Sequence, residues 1–238
     1  MDKQSAYYGA FQSSFIDFDH GIRVGHLSPE ERITQIIKNN LCNRHGIDFV
    51  CDRWGRGVYW QWICWVPKPN RQAKPQSNAF NFASAKFFIA VDREDRVFQA
   101  GIQIERAPKQ SGPGDHGVKL APDWDWYILL KALDQPALSV VIKRLLREGF
   151  RVRAGAFSAL TEYHRKDWDV KACRRRLQRF ASDEWGGFQL FWPMPEKEVR
   201  SSSGMELVQA TLAVFEALTP AINLCMYAPC LTTCTDRD

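Results

Sequence analysis

The chain has 238 residues, of which 45% are hydrophobic and 25% charged, with a formal net charge of +5. That composition is ordinary for a soluble globular protein, and the length suffices for one large domain or two small ones with a sizeable core. A pI near 8.8 permits an anionic partner without demanding one, because charge that marks a nucleic-acid domain is usually stronger and more clustered.

No run of about 18 apolar residues suggests a membrane span. Met1-Asp2-Lys3-Gln4-Ser5 lacks the basic start and apolar stretch of a secretory signal. The seven cysteines are odd in number, and four of them, Cys42, Cys51, Cys64 and Cys173, scatter among apolar or helical patterns. Free thiols in a reducing cytoplasm are the simplest expectation.

Residues 1–27 show no clear period, but Tyr7, Tyr8, Phe11, Phe15 and Phe18 can pack across the body as an arm. Ser28-Pro29-Glu30-Glu31 reads as a capped helix start, followed by a stripe of Ile33, Ile36, Ile37 and Leu41. Strands are expected near 47–52 and 57–66. The runs Ala85–Val91 and Arg96–Glu105, joined by a short polar link, read as a hairpin. Within it Ile102 and Ile104 alternate with Gln103 and Glu105, the pattern of a half-buried sheet.

Residues 107–122 are rich in Gly and Pro and read as a long mobile loop inside a single domain spanning 1–238. Asp123 is placed to cap a helix reaching about Leu133. A second helix carries Leu138, Ile142, Leu145 and Leu146 on one stripe and ends at Gly149. A strand at Phe150–Ala154 and a helix over about 169–181 follow, then a short strand at Phe188–Trp192. Ser203 and Glu206 form a capping box for the last helix, which Pro220 is expected to end or kink.

Two features could bind a ligand. Lys171, Arg174, Arg175 and Arg179 cluster on the 169–181 helix, as an anion-binding face would; the plainer reading is a solvated face paired with nearby acids. Val58–Trp65 packs Tyr59, Trp60, Trp62 and Trp65 into eight positions behind Arg53 and Trp54. Trp54, Tyr59, Trp60 and Trp62 are candidates for stacking on bases, although strand alternation sends at least one set of rings into the core.

No nucleotide-binding glycine loop or nucleophile elbow is present, so no cofactor is implied and the catalytic residues stay unassigned. The five histidines lack metal-ligand spacing. Cys225, Cys230 and Cys234 are one ligand short of a usual metal set and read as a frayed tail with reactive thiols. An alternative chemistry would use Glu105 and Asp92 as metal-holding acids at a sheet end, but Arg106 and Ala107 follow Glu105, so the nearby lysine of such sites is missing from the sequence run.

The order Phe87-Phe88-Ile89-Ala90-Val91, Gly101-Ile102-Gln103-Ile104-Glu105, Leu129-Leu130, Pro136-Ala137-Leu138, Gly149-Phe150 and Phe188-Gln189-Leu190-Phe191-Trp192-Pro193 resembles a bacterial family of unknown function over roughly residues 85–200. Nothing in residues 1–80 matches it. The resemblance implies a bacterial cytoplasmic α+β protein and carries over no functional residue.

Strands and helices come in blocks. The expected architecture is therefore α+β, a mainly antiparallel sheet of about five or six strands with helices packed largely on one face. The functional expectation is an intracellular binding or accessory protein whose partner is nucleic acid or another anion, with no membrane role. The alternative is a metal-dependent hydrolase or nuclease.

Overall fold

The computed structural model describes residues 8–108, 120–179 and 181–233. Its strands are β1 (Ile16–Asp17), β2 (Gly21–Arg23), β3 (Phe49–Arg56), β4 (Tyr59–Pro67), β5 (Lys86–Asp92), β6 (Val97–Arg106), β7 (Arg151–Ala156), β8 (Thr161–Tyr163) and β9 (Gly186–Pro195). Its helices are α1 (Ile33–His45), α2 (Lys68–Gln72), α3 (Asp125–Ala132), α4 (Pro136–Glu148), α5 (Val170–Arg179), α6 (Glu196–Ser201) and α7 (Gly204–Leu224).

Among the described residues nine strands join one antiparallel sheet, so the protein is α+β. The expectation of five or six strands was too low. β1, β2 and β8 are only two or three residues long, too short to show alternation in sequence. The N-terminal arm supplies two of them: β2 pairs with β4 at Tyr59 and Trp60, while Phe11, Phe15 and Phe18 enter the core. Tyr7 lies outside the described residues.

The hairpin of β5 and β6 forms as its pattern predicted, with Phe87 opposite Ile102 and Asp92 opposite Val97. Alternation divides its side chains. Phe87, Ile89, Phe98, Ala100, Ile102 and Ile104 enter the large core that also takes in buried residues of α1, α3, α4, α5 and α7. Phe88 turns the other way, into a smaller cluster with Cys64, Val66 and Phe191.

The helical stripes also behave as their periods require. Leu138, Ile142, Leu145 and Leu218 are all buried. Gly149 ends α4 at φ +107°, and a Cβ there would sit 3.1 Å from the Trp192 ring, so glycine suits both the turn and the packing. The capping box at Ser203 and Glu206 is present. Pro220 lies inside α7 instead of ending it. By length and composition α7 could cross a membrane, a candidate the sequence reading missed; half of its most apolar window is buried inside the protein, as in a core helix.

Three local expectations need correction. Ser28 does not cap α1. It donates from its backbone and hydroxyl to Glu31, both at 2.9 Å, within a turn that precedes the helix. Asp123 does not cap α3; it accepts from the backbone of Gln76 and Ser77 and from the Ser77 hydroxyl. The described residues after α7, 225–233, are packed, not frayed. Cys225 and Leu231 are buried, and Asn223 and Leu231 exchange two hydrogen bonds. Cys234 and the middle of the expected 107–122 loop, residues 109–119, lie outside the described residues.

Candidate functional site

The sheet face turned away from the large core would ordinarily meet water, and Gln103 and Glu105 suit such a face. Yet Lys86, Gln103, Glu105 and Gln189 are each less than a tenth exposed. Burying four polar side chains side by side is costly unless they satisfy one another.

They do so through a directed chain. The Trp62 indole Nε1 can only donate, and it donates to Gln103 Oε1 at 3.2 Å. That orients the amide, so Gln103 Nε2 donates to Glu105 Oε1. Gln189 Nε2 donates to the same Gln103 oxygen at 2.6 Å. Lys86 Nζ pairs with Glu105 Oε1 at 3.1 Å and sits 5.7 Å from the centroid of the Trp62 ring.

These groups floor a cavity of about 760 Å³ lined also by Asp52, Arg53, Trp54, Phe82, Phe157 and Trp185. Each wall has a local cause. Trp54 sits where the β3–β4 register shifts, on the edge strand of the sheet, and is 69% exposed. Phe82 stands on the short turn Asn81–Ala83 before β5, where Phe80 stacks on it and Trp185 meets it edge-on at 5.4 Å. Asn81 Nδ2 donates to Asp52 Oδ2 at 3.0 Å and ties that turn to β3. Gly187 makes room for Phe157: a Cβ there would lie 3.2 Å from the ring. In the smaller cluster that Trp62 packs against, burial pushes the Cys64 thiol well above its ordinary range.

Of the four rings considered for stacking, Trp54 and Trp62 line the cavity. Tyr59 lies beside His20 instead, and Trp60 packs on the large core under the Arg53 guanidinium, 4.2 Å from its ring centroid.

The basic helix lies elsewhere. Cys173 and Leu177 anchor α5 in the large core, while Lys171, Arg175 and Arg179 are exposed. Arg174 is engaged by Asp134 at 3.0 Å and by the Leu130 carbonyl. Lys171, Arg174 and Arg175 border a shallow hollow of about 310 Å³ that is separate from the aromatic cavity.

The two acids of the hydrolase alternative do not converge. Asp92 pairs in register with Val97, eight residues from Glu105 along β6, which separates their backbones by roughly 26 Å. Asp92 is held by Arg153 at 2.9 Å, and Arg153 also bonds Glu162. Glu105 does gain a neighbouring lysine, Lys86, but from the adjacent strand, where no linear motif could reveal it. Among the described residues, no group of three or more His, Cys, Asp or Glu is set to hold a metal ion.

Sequence reasoning missed Asp52, Phe82, Lys86, Gln103, Phe157, Trp185 and Gln189. One signal was available: Gln103 and Glu105 on one strand, and Gln189 on another, interrupt runs that are otherwise apolar. Comparison with known proteins finds no matching family model and no matching curated protein.

Proposed function

We propose that the protein is a binding protein whose cavity on the outer sheet face takes a flat, uncharged ring system of the nucleobase kind. The observation that carries this reading is the gathering of partly exposed rings around a buried polar floor. Trp54, Phe157 and Trp185 are 69%, 37% and 41% exposed, and all three line the same cavity. Exposed rings brought together in this way suit a ligand that can cover them. Their faces can stack on a base, and the floor can read its edge.

Charge supports a neutral ring over a phosphate at this point. Asp52 and Glu105 balance Arg53 and Lys86 along the lining. Under this reading the protein would read bases, and the cations of α5 border a separate hollow and are not part of the site.

The test is a titration of nucleosides and short single strands, followed by tryptophan fluorescence and calorimetry. Saturable quenching that weakens in Trp185→Ala is expected. Absence of binding at millimolar nucleoside would overturn the reading.

A further inference from the structure

The hydrogen-bond directions in the floor restrict which ring edge fits. Trp62 can only donate, and an ionised Glu105 can only accept. Gln103 lies between them, so its amide cannot flip without breaking both contacts. Gln189 must then present its Nε2 to Gln103, which leaves Gln189 Oε1 as an acceptor. Among the described residues nothing donates to that oxygen. Glu105 Oε1 receives both Lys86 and Gln103, and Oε2 has no donor among the described residues. Lys86 uses one N–H on Glu105 and keeps two more.

The cavity floor therefore offers two acceptors, Glu105 Oε2 and Gln189 Oε1, together with one donor, Lys86 Nζ. We propose that it selects a heterocycle whose edge carries adjacent N–H donors beside a carbonyl, the pattern of guanine. A ring N–H and an exocyclic amine would face the acceptors, and the carbonyl would face Lys86. Adenine offers one amine beside a bare ring nitrogen, and uracil sets its N–H between two carbonyls, so either would leave part of the floor unmatched. An unmatched buried polar group costs more than a lost contact, so discrimination should be marked.

This inference rests on the reading of the cavity as a base site, and the experiment separates the two. Guanosine, inosine, adenosine and uridine are titrated against the unmodified protein. Inosine keeps the ring, the N–H and the carbonyl and lacks only the exocyclic amine. Guanosine is expected to bind tightest, with inosine weaker by about tenfold or more, the range of a hydrogen bond to a charged group. Equal affinity for guanosine and inosine would overturn the edge selection and leave stacking intact. No binding by any nucleoside would overturn both. Glu105→Gln should abolish the preference for guanosine over inosine. Retention of the preference in that variant would move the reading group away from Glu105. The inosine comparison needs no substitution, so it holds even where the variant fails to fold.

Discussion

Lys74 and Asp125 meet inside the protein with no exposed surface on either side chain, Nζ to Oδ1 at 3.1 Å. Asp125 also accepts from Asn70 Nδ2 at 2.7 Å, from the Ala85 backbone at 2.6 Å and from the Tyr227 backbone at 2.8 Å. One carboxylate thus joins α2, the start of β5, α3 and the chain after α7. Burial works to lower the Lys74 pKa; Asp125 opposes this without cancelling it. A buried charge with this many partners is tolerated, but losing one side of the pair is severe.

Asp125→Ala should destabilise the protein by about 3–5 kcal/mol, because it strands a buried ammonium and several N–H groups. Lys74→Met should cost less, since the carboxylate keeps three other donors. Urea unfolding measures both. A loss below about 1 kcal/mol for Asp125→Ala would place the pair with exposed ion pairs of little consequence.

Trp54 should separate binding from stability. Its exposure means that Trp54→Ala changes the unfolding free energy by no more than about 0.5 kcal/mol. The same change should weaken nucleobase binding by about 1–3 kcal/mol if the ring stacks on the ligand. Unchanged affinity would remove Trp54 from the site.

Glu196 carries a pH dependence of known sign. Arg96 bonds it through Nε at 2.5 Å and Nη2 at 2.9 Å, and Arg200 adds a further bond at 2.7 Å. Together they hold its carboxyl down from the ordinary 4.5 to about 2, Arg96 contributing most. A pKa depressed on folding stabilises above the unfolded value and loses that effect as pH falls through the folded one. In Glu196→Gln, thermal melts between pH 4.5 and 2 should therefore fall less steeply than in the unmodified protein. Identical slopes would show that this contact does not contribute.

The buried thiols should be inert while the protein is folded. Desolvation pushes Cys173 up to about 12, and Cys64 and Cys225 rise for the same reason. A colourimetric thiol reagent at pH 8 should leave these three unmodified until denaturant is added. Rapid modification of Cys225 in the native state would contradict the packed C-terminal segment.

Amino-acid order alone determined the elements whose signals are local. The β5–β6 hairpin needed only two alternating runs and a polar break. The stripes of α4 and α7 needed only their periods, and Gly149 and Ser203 their backbone chemistry. Three-residue β8 offered no such period, and Asp123 could not reveal that Gln76 and Ser77 would compete for its carboxylate. The site was still less legible, because its parts come from distant segments. Glu105 and Trp62 were visible as candidates. Their meaning depended on Gln103, Lys86 and Gln189, which adjacent strands set beside them. Tertiary structure alone decided which rings stayed outside: Trp60 packed on the large core, while Trp54, one strand away, remained at the cavity mouth. The physical reason is that periodicity tells which side chains share a face, whereas burial depends on what the rest of the chain lays over that face.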